Sequence, residues 1–175
     1  FTKSTTDWKN NRFDNEIWMS KNGGKPFKLT NNLERSSSSP QWSPDGKWLG
    51  FLSRKADKTQ IQLIRAEGGE SIQLTEAKGN ISSFEWSPNG SQIAFTMTED
   101  KSKTEKERKD KYGGYSVEDD EYSMSQLWLI DFDEELLSSS PLPTEMEDSV
   151  YKVRKSGRVL IKSDSFTIRG FSWSP

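Results

Sequence analysis

The sequence predicts an all-β fold: a β-propeller fragment of about three four-stranded blades, forming an incomplete ring. Three observations predict it. QWSPDGKWLGFLS at 41–53 recurs as EWSPNGSQIAFTM at 85–97, and SWSP at 172–175 begins a further copy. Each full copy reads as a strand, a turn with proline and glycine, and a second strand. A hairpin that recurs at a fixed period needs neighbouring hairpins to cover its faces, as the blades of a propeller do.

Composition favours β repeats over one leucine-rich core. The chain has 175 residues, 30% hydrophobic and 30% charged, with seven tryptophans and nine phenylalanines. Short, half-buried strands take their apolar contacts from aromatic and β-branched side chains. This composition therefore agrees with the repeat pattern.

Charge and missing residue types exclude several classes of function. A formal charge of -2 gives no electrostatic reason to expect a nucleic acid or an anionic membrane as partner. No apolar run has transmembrane length and no signal-peptide pattern is present. Because the chain opens on Phe1, we expect that an upstream segment has been removed.

The absence of cysteine excludes disulfides and thiolate metal sites, and the absence of histidine removes the central member of a Ser-His-Asp triad.

The first predicted blade covers residues 1–35 and is partial. When the repeat copies are aligned, Phe1 takes the position of Phe51 and Phe95 in the second strand of a blade. We therefore expect the chain to begin inside a second strand. NEIWMSK, an Asn-Gly-Gly turn and KPFKLT then supply a third strand, a hairpin and a fourth strand.

The second predicted blade covers residues 36–80. A serine-rich crossover at 36–39 leads into the inner strand, and KWLGFLS, TQIQLIRAE and SIQLT supply the other three strands. Leu74 takes the position of Leu29 in the first blade, and a threonine follows each leucine. The two blades therefore share one register.

The third predicted blade covers residues 81–170 and contains two insertions, and 171–175 begin the next blade. The first insertion, 99–123, is a mixed-charge run that cannot bury enough surface to offset its ordering entropy. We expect a mobile loop or a short exposed helix there. The second insertion, 134–157, separates the third strand from the fourth.

Spacing predicts that the third blade closes in register despite both insertions. Ile161 takes the position of Leu74, because Ile161 precedes Trp173 by the same interval as Leu74 precedes Trp86. Trp42, Trp86 and Trp173 recur with the repeat, so we expect them in packing between blades rather than around a ligand.

Two residue pairs have the spacing of catalytic pairs. Ser149 and Lys152 match a Ser-Lys nucleophile pair, and Tyr151 and Lys155 match a Tyr-Lys proton-donor pair. They fall in a polar insertion with no helix to bring the partners onto one face, and no glycine-rich phosphate loop is present. Both pairs are interpreted as accidental.

Acidic clusters and asparagines give no stronger signal. The clusters at 118–121 and 131–135 lack the spacing and glycine of a calcium loop and are interpreted as solvated faces. Asn80 and Asn89 match the glycosylation pattern, but Asn89 lies in the turn of the repeat itself. The sequence therefore predicts no catalytic residue, no cofactor and no metal site.

The repeats also carry a family resemblance. WSPDGKWLGFLS, GGESIQLT and EWSPNGSQIAFT resemble the propeller repeats of TolB-like proteins and of the prolyl oligopeptidase family of serine peptidases. The charged insertion at 99–123, followed by SQLWLIDFD, resembles the corresponding blade in the acylaminoacyl-peptidase and dipeptidyl-peptidase branch. The resemblance covers essentially the whole chain.

The resemblance implies an N-terminal propeller that caps an α/β-hydrolase domain with a Ser-Asp-His triad. The chain has no Gly-x-Ser-x-Gly elbow and no histidine, so no catalytic residue is transferred and the chain alone is not expected to be an enzyme. The parent protein would be a serine peptidase that cleaves short peptides, with the propeller screening substrates. In the dipeptidyl-peptidase branch a glutamate pair holds the substrate's amino terminus. Glu134 and Glu135 are adjacent but follow a strand, so that role is not transferred.

The partners implied are the missing blades and hydrolase domain of the parent, peptide substrates of the parent, and other copies of the chain through its open blades. No nucleic acid, membrane or cofactor is expected. The resemblance favours a periplasmic or secreted location over a cytoplasmic one.

The alternative to a peptidase propeller is a TolB-like propeller that serves as a protein-protein interaction module. A longer gene product with a Gly-x-Ser-x-Gly stretch and a downstream histidine would distinguish the two.

Overall fold

A computed structural model describes most of the repeat region. The described residues are 1–31, 36–55, 58–98, 124–134, 137 and 157–174. The loop or helix expected at 99–123 lies outside these ranges, as do the residue pairs between 149 and 155. Within the described ranges, no helix has the length and apolar character needed to cross a membrane.

Strands dominate the described residues and form three antiparallel sheets. The strands are β1 (Thr2–Asp7), β2 (Arg12–Met19), β3 (Phe27–Lys28), β4 (Ser37–Trp42), β5 (Trp48–Lys55), β6 (Lys58–Arg65), β7 (Ile72–Gln73), β8 (Asn80–Trp86), β9 (Gln92–Thr98), β10 (Ser125–Asp131) and β11 (Arg158–Ile161). The first sheet contains β1 to β3, the second β4 to β7 and the third β8 to β11, each in chain order. These sheets do not close into a ring, and the predicted class, an incomplete β-propeller, is confirmed.

The turn after the first repeat tryptophan is held by its own side chains. The Ser43 hydroxyl donates to Asp45 Oδ1 at 2.6 Å and accepts the backbone N–H of Trp48 at 3.0 Å. Gly46 donates its N–H to the Ser43 carbonyl at 2.9 Å and has a φ of 71°, which glycine adopts without steric cost. The turn therefore fixes where β5 begins.

The second copy of the turn repeats this geometry with asparagine. The Ser87 hydroxyl donates to Asn89 Oδ1 at 2.7 Å and accepts the backbone N–H of Gln92 at 2.9 Å. Gly90 has a φ of 72°. The predicted equivalence of the two turns therefore extends to individual hydrogen bonds.

The predicted alignment of the three second-strand phenylalanines is confirmed by their cross-strand partners. In the neighbouring strand of each sheet, the residue opposite the phenylalanine directly follows a buried aliphatic residue, which is Ile17, Ile61 or Leu127. The pairs are Phe1–Trp18, Phe51–Gln62 and Phe95–Trp128.

The fourth strands follow the predicted register in the first two sheets. Leu29 donates its N–H to the Ile17 carbonyl at 2.8 Å, and Leu74 donates to the Ile61 carbonyl at 2.9 Å. The threonine after each leucine turns its hydroxyl back to accept the N–H of the same isoleucine at 3.0 Å. This hydroxyl completes the pairing where the short strand ends.

The third sheet keeps the predicted register but not the burial. Ile161 lies opposite Leu127, as Leu74 lies opposite Ile61. Leu74 is 7% exposed, whereas Ile161 is 42% exposed and all of β11 is exposed. β11 therefore has the predicted pairing with β10, but its side chains are exposed.

Adjacent sheets meet at two seams. The first seam joins β2 to β4, and the second joins β6 to β8. Buried aromatic and aliphatic side chains fill the second seam, including Trp48, Phe84 and Trp86. On the far side of the third sheet, Trp173 packs against a smaller buried cluster. Inter-blade packing is thus confirmed for Trp86 and Trp173, whereas Trp42 is 47% exposed at the first seam.

Candidate functional site

A similar hydrogen bond occurs at both seams between sheets and once more after the third sheet. In each case a side-chain oxygen six residues before a repeat tryptophan accepts a backbone N–H, from β2 in the first sheet, β6 in the second and β10 in the third. The donor–acceptor pairs are Asn15 N to Ser36 Oγ (3.2 Å), Thr59 N to Asn80 Oδ1 (3.0 Å) and Ser125 N to Thr167 Oγ1 (2.9 Å). We call this bond the seam clamp. Asn80, one of the two glycosylation candidates, is therefore a structural acceptor.

An aromatic ring inserted between two tryptophans fills the second seam. Phe132, just beyond β10, lies edge-on to Trp86 with ring centroids 4.9 Å apart, and edge-on to Trp48 at 6.2 Å. Edge-to-face contacts place the positive ring edge against the negative face of its neighbour. Trp86 is consequently only 8% exposed.

Ion pairs also connect the segment after β10 with the second sheet. Glu134 Oε2 lies 3.6 Å from Lys47 Nζ, and Glu134 Oε1 lies 3.5 Å from Arg65 Nη1. The Arg65 guanidinium also lies over the Trp48 ring, 4.6 Å from its centroid. Glu134 thus joins the segment after β10 to the second sheet.

A half-open cavity of about 550 Å³ lies at the first seam and borders Phe1, the first residue of the sequence. Six of its lining residues are Ile17, Trp18, Trp42, Leu49, Ala66 and Glu67.

Ala66 takes the structural position of Phe132. Ala66 donates its N–H to the Lys47 carbonyl and Phe132 donates to the Ser91 carbonyl, both at 2.8 Å and both to the residue after a turn glycine. A methyl group thus stands at the first seam where a phenyl ring stands at the second. Trp42 is 47% exposed and its counterpart Trp86 is 8% exposed.

Side chains at the cavity mouth are polar and of opposite charge. Lys21 and Asn22 lie on the turn after β2, and Glu67 lies on the turn after β6. The cavity thus combines apolar walls with polar side chains of both charges.

Nothing in the described part of the chain adds catalytic or metal chemistry to this cavity. The full sequence has no histidine or cysteine. Among the described residues, no group of three or more acidic side chains is arranged to hold a metal ion. Of the predicted acidic cluster at 131–135, Asp131 accepts a hydrogen bond from Gln92 Nε2 at 2.7 Å and Glu134 is ion-paired.

Among the described residues, two carboxyl groups have lowered pKa values, and both serve turns. The Ser43 hydroxyl, followed by the Lys47 N–H, holds the pKa of Asp45 below its ordinary value by hydrogen bonding to the carboxylate. The Asn10 side-chain amide does the same for the pKa of Asp7. Both groups stabilise chain reversals, so neither has the features of a general acid or base.

Sequence comparisons identify distant relatives of this chain. No protein-family model matches it. It is 33% identical over 118 residues to the uncharacterized peptidase YuxL of Bacillus subtilis (61% of the chain, 18% of the relative). It is 34% identical over 84 residues to the uncharacterized protein YidR of Escherichia coli (46% and 19%). It is 24% identical over 96 residues to dipeptidyl-peptidase 5 of Porphyromonas endodontalis (55% and 14%). These matches span less than a fifth of each relative.

Solved structures share the fold. Pyrococcus horikoshii acylaminoacyl peptidase superposes with a TM-score of 0.54 at 19% identity, covering 77% of this chain and 21% of that one. A putative TolB from Agrobacterium tumefaciens superposes with a TM-score of 0.50 at 21% identity, covering 75% and 41%. The chain is thus a propeller region with distant peptidase homologues and a fold shared with both structures, and the predicted resemblance is confirmed.

Proposed function

We propose that this chain is the non-catalytic, substrate-gating propeller portion of a serine peptidase of the prolyl oligopeptidase or acylaminoacyl-peptidase type, which cleaves short peptides. The observation that carries the proposal is the 33% identity over 118 residues to a peptidase of Bacillus subtilis. The remaining length of such a protein would supply the nucleophile and the imidazole, which this sequence lacks.

The seams support a role as a rigid wall. The seam clamps hold strands of adjacent sheets together, and Phe132 with Glu134 closes the second seam. Sheets held in this way exclude a folded or long polypeptide from the space behind them, while a short peptide diffuses past. Gating of this kind requires no reactive group on the propeller itself.

Hydrolysis by the naturally expressed protein tests the proposal. We expect it to cleave the aminoacyl bond of short acylated or free peptides and to leave long unfolded polypeptides intact. Loosening the second seam with Phe132→Ala should raise cleavage of the long substrate relative to the short one. Trp8→Ala is the matched control, because Trp8 is 86% exposed and belongs to no seam.

Two results would contradict the proposal. Equal cleavage of long and short substrates by the unmodified protein would remove the gating role. Absence of all peptidase activity would favour the alternative, a TolB-like propeller that serves as a protein-protein interaction module.

A further inference from the structure

We propose that Asn22 is a site of spontaneous covalent modification, at which the side-chain amide is lost as ammonia and an aspartyl or isoaspartyl residue remains. The sequence contains two Asn-Gly pairs, Asn22–Gly23 and Asn89–Gly90. Glycine has no Cβ, so its backbone nitrogen meets the least steric hindrance on the way to the preceding asparagine side chain. The two pairs differ in how the fold holds them, and this difference assigns the reaction to Asn22.

The reaction requires only the chain itself and water. The Gly23 nitrogen gives its proton to a hydroxide ion and attacks Cγ of Asn22. A C–N bond forms, the side-chain nitrogen takes up a proton from water, and ammonia leaves a five-membered succinimide. Water then opens the ring at one of its two carbonyl carbons, which gives either aspartate or isoaspartate. The product carries one more negative charge than the original residue.

Hydrogen bonds hold the second Asn-Gly pair in an unreactive geometry. Asn89 Oδ1 accepts three hydrogen bonds, from the Ser87 hydroxyl at 2.7 Å and from the N–H and hydroxyl of Ser91 at 3.1 and 2.9 Å. The attacking nitrogen is also occupied, because the Gly90 N–H donates to the Ser87 carbonyl at 2.9 Å. Asn89 is exposed, so these bonds and not exclusion of water oppose its modification.

The first Asn-Gly pair has none of these restraints. Asn22 and Gly23 are both exposed and lie in the left-handed region, with φ of 50° and 72°. In the described part of the chain, neither the Asn22 side chain nor the Gly23 N–H has a hydrogen-bond partner. The turn is closed by the Gly24 N–H, which donates to the Lys21 carbonyl at 2.8 Å, and the strand that follows has two residues. Rearrangement toward the succinimide therefore breaks fewer bonds here.

The free N–H of Gly23 is a property of this turn that recurs in the second sheet. There Glu67 takes the position of Gly23, because in both turns the next residue donates its N–H to the carbonyl two residues before, at 3.0 and 2.8 Å. Among the described residues, the Glu67 N–H likewise has no partner, and Glu67 is exposed. The turn and strand that precede it, 43–46 and β5, are both present, so residues ahead of this position in the chain do not occupy the N–H.

Incubation of the naturally expressed protein at mildly alkaline pH tests the proposal. Samples are digested at low pH, which stops the reaction, and the peptides with residues 22 and 89 are followed by mass spectrometry. We expect the conversion of Asn22 to aspartyl and isoaspartyl products to be about tenfold faster or more than that of Asn89, since each hydrogen bond that must break slows the reaction. In concentrated urea the two rates should become similar, because both pairs have the same reactive sequence.

A variant tests why Asn89 is protected. Ser87→Ala removes one donor to Asn89 Oδ1, so modification of Asn89 should accelerate severalfold while the rate at Asn22 stays the same. Circular dichroism shows whether the variant is folded. The urea comparison needs no variant and keeps the test independent of that outcome. A folded protein in which Asn22 reacts no faster than Asn89, although both react in urea, would overturn the proposal.

Discussion

The turn at residues 43–46 depends on one acceptor oxygen, and the second turn supplies the same oxygen from a different side chain. Asp45 Oδ1 accepts from the Ser43 hydroxyl and Asn89 Oδ1 accepts from the Ser87 hydroxyl, at 2.6 and 2.7 Å. Because aspartate titrates and asparagine does not, the first turn responds to acid and the second does not. Asn89 in the second turn therefore shows what the turn is like with an asparagine in place of Asp45.

Acid should weaken the first turn through Asp45. Its pKa is lowered in the folded chain, so its contribution to stability is complete above the unfolded pKa, about 3.9, and is lost as pH falls through the lower folded pKa. Asp45→Asn should keep the turn and remove this loss. Urea unfolding midpoints measured between about pH 5 and pH 2.5 should fall more steeply for the unmodified chain than for the variant. Parallel slopes would contradict this account.

Gly50 is required by the close approach of the third sheet. A Cβ atom at this position would lie 2.9 Å from Phe84 Cε2, closer than real contacts allow. Gly50→Ala should therefore lower the free energy of unfolding by about 1–3 kcal/mol, the usual cost of overpacking. Urea denaturation measures it, with Gly170→Ala as control, because a Cβ there meets nothing within 4 Å. An equal, small effect of both substitutions would argue against tight packing at the second seam.

At the scale of strands, the seam clamp links β2, β6 and β10 to the segment that leads into the next repeat tryptophan. The acceptor is a serine, an asparagine or a threonine at the three clamps, so the requirement is an oxygen of short reach rather than one residue type. No local pattern reveals this requirement, because donor and acceptor lie about 20 residues or more apart along the chain. Aligning the repeats on their tryptophans exposes it.

Removing one clamp should weaken the second seam modestly. Asn80→Ala deletes the acceptor for the Thr59 N–H, and since this bond lies near the surface we expect a loss of about 1 kcal/mol. Asn80→Thr introduces the residue type that accepts the bond in the third clamp, and it should restore most of the lost stability. Hydrogen exchange of the Thr59 amide should accelerate in the alanine variant alone. Unchanged exchange would mean that the bond does not hold the strand.

Strand existence and register were predictable, whereas burial was not. The alternating apolar residues and the turn signals specify which residue pairs with which, and Ile161 lies opposite Leu127 as its spacing predicts. Burial depends on what lies against the other face of a strand, and periodicity within the strand carries no information on that. The exposure of Ile161 and of Trp42 could therefore not be read from the repeat.

At the scale of the whole molecule, three sheets joined by two seams leave apolar strand surface uncovered. Val159, Leu160 and Ile161 on β11 are 45%, 52% and 42% exposed. Exposed edge strands of this kind pair readily with another chain. We propose that the 175-residue chain self-associates through these surfaces.

Sedimentation velocity tests the self-association over a range of concentrations. The expected result is reversible dimers or larger species, with Leu160→Lys shifting the distribution toward monomer because a charge on an edge strand opposes pairing. Trp8→Lys is the control at an exposed site away from β11. A monodisperse monomer at high concentration that binds no hydrophobic dye would refute the proposal.

Active-site labelling tests our proposal that this propeller region belongs to a serine peptidase whose reactive groups lie elsewhere in the protein. The naturally expressed protein is treated with a fluorophosphonate, digested and mapped by mass spectrometry, alongside the isolated 175-residue chain. We expect one labelled serine outside residues 1–175 and no labelling of the isolated chain, which has no histidine to activate a serine. Labelling of a serine within residues 1–175, or of none at all, would contradict it.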